Sequence, residues 1–131
     1  MSLKNPILAH HISSQFNEDL QEVNAKFMAM GGIVEQQVTN AIHALLDTDV
    51  SMSLDVQYQE KNVNRLEREI DEGLTLILAR RHPAAIDLRM VIAMSKANTD
   101  MERIGDEALK IANIAQRLCE EGGSPRGFME T

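Results

Sequence analysis

The sequence predicts an all-α fold, an antiparallel bundle of three long helices, on three observations. Apolar residues recur in alternating steps of four and three along most of the chain. Aromatic residues make up only 3% of it, with no Trp, so strand formers are too few for a sheet and a core of Leu, Ile, Val, Met and Ala is left, which suits long helices. Two short breaks, at Asp47-Thr48-Asp49 and at Pro83, divide the periodic stretch into three. With 131 residues the chain fits one domain and can bury roughly two-thirds of its unfolded surface.

The first helix is read from Ile12. Phe16, Leu20, Val23, Phe27, Met30 and Val34 keep to one face, and the stripe continues through Val38, Ile42 and Leu45 to about Leu46. Gly31 and Gly32 interrupt it at a cost of roughly 1 kcal/mol each relative to alanine, and mid-helix glycines of this kind are expected to serve a bend or a close helix crossing rather than a ligand. The second helix begins near Ser51 or Ser53, either of which suits a cap, and turns Val63, Leu66, Ile70 and Ile77 inward. Arg80, Arg81 and His82 end it where positive charge complements the helix dipole. Pro83 disfavours helical geometry before it and is expected to open the third helix at its first position. There Ala97, Met101, Ile104, Ala108, Ile111, Ala115 and Leu118 keep the four-three rhythm until Gly122-Gly123 stops it.

Connections this short favour antiparallel neighbours, hence an up-down-up rod, and a 35-residue helix spans roughly 50 Å. Residues 1–10 are read as a flexible start, 11–121 as the bundle and 122–131 as a flexible tail.

A formal charge of −7 argues against binding nucleic acid, which needs surplus Lys and Arg on one face. The single cysteine, Cys119, cannot form an internal disulfide, and the first residues carry no secretory signal, so a reducing, cytoplasmic setting is expected. No apolar stretch approaches the ~18 residues that cross a bilayer, which leaves membrane association to a partner.

Charged residues are ordered. Arg89, Lys96, Arg103, Lys110 and Arg117 recur every seven residues as one basic rail. Glu102 and Asp106 lie four positions apart on one patch of the third helix, and Glu60, Asn64, Glu67 and Asp71 run down one flank of the second. Spacing alone favours solvated faces that exchange weak ion pairs. Carboxylates at this spacing on neighbouring helices also suit a hard or borderline cation such as magnesium, calcium, manganese or iron, with zinc admitted. A di-iron oxidase site is disfavoured, because neither Glu67 nor Glu102 is followed three residues later by His. His10, His11, His43 and His82 lack partners at ligand spacing and Cys119 lacks a nearby histidine. With no phosphate loop and no nucleophile elbow, no catalytic constellation assembles.

The segments Met28 to Gln36 (MAMGGIVEQ), Lys61 to Asp71 (KNVNRLEREID), Leu78 to Met90 (LARRHPAAIDLRM) and Glu102 to Asp106 (ERIGD) together resemble the PhoU family, in order and spacing, over about His11 to Ala115. The resemblance implies one of that family's two similar three-helix repeats, the N-terminal one, with an apolar side face open to pair with a second copy. It implies metal-holding acidic pairs, Glu102 with Asp106 and Glu67 with Asp71. It also implies a regulatory adaptor that restrains phosphate-starvation signalling by contacts with the phosphate ABC transporter, through its ATPase subunit, and with a PhoR-type sensor kinase. The basic rail is the candidate contact surface, since charge orients such encounters. A metal-binding bundle or a passive helical scaffold is the alternative.

Overall fold

The computed structural model describes residues 6–122, with side chains from residue 14 onward. Three helices follow one another: α1 Pro6–Asp47, α2 Val50–Arg81 and α3 Ala85–Glu120, each packed against both others. At about 1.5 Å per residue the 42-residue α1 is roughly 60 Å long. α1 begins at Pro6 rather than near Ile12, because proline is well placed at a helix start. Residues 6–10 therefore extend the helix. The rest of the expected flexible start, residues 1–5, and of the tail, 123–131, lie outside the described residues. No described helix is long and apolar enough to cross a membrane.

Cross-helix bonds fix the antiparallel register. Arg81 Nε donates to Asp19 at 2.7 Å and Asn40 Nδ2 to Asp55 at 2.8 Å, so α1 and α2 run oppositely. Between α2 and α3, Gln57 Nε2 donates to Gln116 at 2.6 Å and Asn98 Nδ2 to the Glu67 carbonyl at 3.0 Å.

The turns differ from expectation in detail. α1 ends with Thr48 at φ 55 and the Asp49 amide donating back to the Ala44 carbonyl at 3.2 Å. Asp49, not Ser51 or Ser53, caps α2: its side chain accepts from the Ser51 amide at 3.0 Å. Ser53 lies buried in the helix. His82 turns into the left-handed region at φ 45, ψ 60, the residue before proline being kept from right-handed helix. Pro83 precedes the helix instead of opening it, and Ala84 occupies the cap position of α3 without a side-chain bond. Gly122 at φ 75 takes the left-handed position after α3.

The core confirms Phe16, Val23, Met30, Val34, Val63, Leu66, Ile70 and Ile77 as inward. It corrects Ile42 and Ile104, which are 46% and 48% exposed. In their place Gln37, Ala41 and Ala44 face in from α1, and Asn98, Gly105 and Ala112 from α3. A straight helix drifts by about 20° per heptad against a four-three pattern, so over a helix this long the true inward stripe leaves the apolar one. Gly31 does lie against α3, 3.5 Å from its Cβ position to Met101 Cε, whereas Gly32 faces open space.

Candidate metal centre

Antiparallel pairing of α2 and α3 sets Glu60 beside Glu102 and Asp106. One carboxylate oxygen from each lies within 4.8 Å of the others, the one group of this kind among the described residues. Glu60 is 8% exposed, and Glu102 and Asp106 are half-buried. The helical four-residue step puts Glu102 and Asp106 on one side of α3, as expected. On α2 the partner is Glu60 rather than the Glu67 and Asp71 pair. Glu67 stands close enough to raise the Glu102 pKa, while Asp71 points outward and its hydroxyl neighbour Thr75 bonds only its backbone carbonyl, at 2.8 Å.

Behind the trio lies Gln37 of α1, 1% exposed. Its Nε2 donates to Glu60 Oε2 at 3.0 Å and to the Val56 carbonyl at 3.2 Å. The amide fits because Gly105 has no Cβ: one built there would meet Gln37 Oε1 at 2.9 Å. This explains the glycine of the ERIGD segment in terms of packing. Gln37 carried no chemical motif in the sequence; its one signal was a polar residue falling on the drifted apolar stripe, a position that normally takes Leu or Ala.

Glu60 and Glu102 are held in an unfavourable setting. Burial, the largest cause, raises the pKa of Glu60 above its ordinary 4.5, as do the charges of Asp106 and Glu67, while the Gln37 bond lowers it. Glu102 is raised by burial first and then by Glu67, Asp106 and Glu60, against the pull of Arg103. Clustered carboxylates that resist ionisation are the setting a cation relieves, and an all-oxygen donor set fits hard ions such as magnesium, calcium or manganese and admits iron. Of the histidines whose side chains are described, His43 is exposed on α1 and His82 is exposed at the end of α2.

Arg89, Lys96, Arg103, Lys110 and Arg117 are all exposed on α3. Lys110 bonds Glu107 at 3.0 Å and Arg103 approaches Asp100 at 3.8 Å, both within the helix. A groove of about 410 Å³ between α1 and α2, lined by Asp19, Lys26, Glu72 and Arg80 among others, lies away from the trio.

Residues 27–115 match the PhoU domain family. The chain belongs to the PhoU family. It is 53% identical over 123 residues to the "Phosphate-specific transport system accessory protein PhoU homolog" of Pseudomonas aeruginosa, covering 94% of this chain and 51% of that protein. It is 45% identical over 118 residues to the "Phosphate-specific transport system accessory protein PhoU" of Escherichia coli K12, covering 90% and 49%. The crystal structure of PhoU from Pseudomonas aeruginosa superposes with a TM-score of 0.82 at 51% identity, over 88% of this chain and 55% of that one. The chain thus spans about half the length of the relatives it matches. Its three helices are the PhoU fold, and the acidic trio lies on two of them.

Proposed function

We propose that this PhoU-family unit is a regulatory adaptor of phosphate uptake that acts by contact and not by turnover. The observation that carries the reading is 53% identity, over 94% of the chain, to a protein named as an accessory of the phosphate-specific transport system. In this reading the unit docks on the ATPase subunit of the phosphate ABC transporter and on a PhoR-type sensor kinase, restraining starvation signalling when phosphate is ample. It meets the membrane only through those partners and works in the cytoplasm. The exposed rail on α3 orients docking, since steering by such charges acts on encounter rate and register. The apolar groove between α1 and α3, lined by Val34, Val38, Met101 and Ile104, supports pairing with a second copy. Glu60, Glu102 and Asp106, with Glu67 beside them, would hold a divalent or ferric cation that neutralises the cluster and ties α2 to α3.

Surface-binding measurements of the purified chain on the transporter ATPase subunit and on the kinase cytoplasmic domain test this. Saturable binding that weakens at least about tenfold when Arg103 and Lys110 are both changed to Glu is expected. Absence of binding to either partner refutes the adaptor reading and leaves a metal-binding bundle or a scaffold.

A further inference from the structure

We propose that Gln37 is a positioning residue of the carboxylate centre: its amide holds Glu60 from α1, and its carbonyl oxygen is an acceptor kept open for the hydrated cation. This rests on the reading of Glu60, Glu102 and Asp106 as a cation site.

A buried glutamine on the apolar stripe of a helix needs a reason, because a leucine of similar volume would fill the space without losing hydration. Gln37 is almost fully buried, and both neighbours of its Nε2, the Glu60 carboxylate and the Val56 carbonyl, are acceptors. They dictate which end of the amide carries the donors, and hence that Oε1 faces away from them, toward Gly105 of α3. Oε1 finds no hydrogen-bond partner there, although it is buried. Core filling does not explain why an amide, rather than an apolar side chain, occupies this place. Through its own amide nitrogen this oxygen is tied to the Glu60 carboxylate, and a cation held by Glu60 would bring it a natural donor: water, whose protons point toward acceptors of the protein. Asn98, one turn before Glu102 on α3, also carries a buried oxygen without a partner.

A merely structural Gln37 and a positioning Gln37 differ in what its loss does. Gln37→Met keeps length and apolar packing while removing donor and acceptor. Calorimetric titration with manganese chloride is expected to show binding about 10- to 100-fold weaker than wild type, while the chelator-treated variant still melts in one cooperative transition. Gly105→Ala, which displaces the same amide from α3, is expected to weaken manganese binding in the same direction. Manganese affinity of Gln37→Met within about threefold of wild type, or a chelator-treated variant that no longer melts cooperatively, overturns the proposal. If wild type takes up no manganese, magnesium or calcium, the cation reading fails by itself and the acceptor role falls with it. The hold on Glu60 is then read from the Gln37 side-chain amide protons by NMR. Slow solvent exchange that Glu60→Leu accelerates upholds the positioning, and exchange indifferent to Glu60→Leu overturns it.

Discussion

Changing Gly105 to alanine places a methyl carbon 2.9 Å from Gln37 Oε1, 3.4 Å from Val34 Cγ2 and 3.6 Å from Val63 Cγ1. Helix propensity alone favours the alanine by about 1 kcal/mol. Against that, overpacking a filled core costs about 1–3 kcal/mol. A displaced amide also leaves the buried Glu60 carboxylate without its donor, which costs about 1–3 kcal/mol more. The balance is a net loss of about 3 kcal/mol, or roughly 10 °C in Tm for a domain of this size. Gly32→Ala is the matched control, since its Cβ would meet nothing within 4 Å. It should gain up to about 1 kcal/mol and melt roughly 3–5 °C higher than wild type. Circular-dichroism melts in chelating buffer compare the two. If Gly105→Ala rises in step with Gly32→Ala, the amide is not where the packing puts it, and the link from α1 to the carboxylates is wrong.

Asp49→Ala removes the acceptor for the Ser51 amide and should cost about 1 kcal/mol in urea unfolding, whereas Ser53→Ala should cost less, because its hydroxyl has no partner. Ile70→Ala, at a position with 0% exposure, should cost about 2–5 kcal/mol with the unfolding slope unchanged. The pH dependence follows from the raised carboxyls. A group whose pKa is higher folded than unfolded binds its proton more readily in the folded chain, so its charge opposes folding at neutral pH and that penalty fades as pH falls toward its ordinary value of 4.5. Glu102→Gln should therefore stabilise the metal-free chain at about pH 7 and by less at about pH 5; denaturant midpoints at both pH values check the sign.

Much of the fold is legible in the residues themselves. Steps of four and three from Phe16 to Val34 and from Val63 to Ile77 specify helices and their inner faces, because periodicity is a local property of the backbone. Asp47 to Asp49 and Pro83 mark the breaks for similarly local reasons. Glu102 and Asp106 share a patch of α3 by the same rule, and the basic rail repeats because its heptad spacing keeps one side of one helix. What local spacing does not contain is rotation and register between helices. The drift that exposes Ile42 and Ile104 accumulates over many turns and is decided by how three long helices share one core. Whether Glu60 or Glu67 completes the carboxylate centre depends on where α2 stands against α3, which is set by tertiary contacts such as Asn98 to the Glu67 carbonyl. Gln37 lies 23 positions from Glu60, and their bond exists because Gly105, on the third helix, leaves room for the amide. The sequence by itself determined three helices, part of their inward faces and two of the three carboxylates of the acidic site. Only the packing, which brings residues of distant position within a few ångströms and removes them from water, decided which oxygens meet.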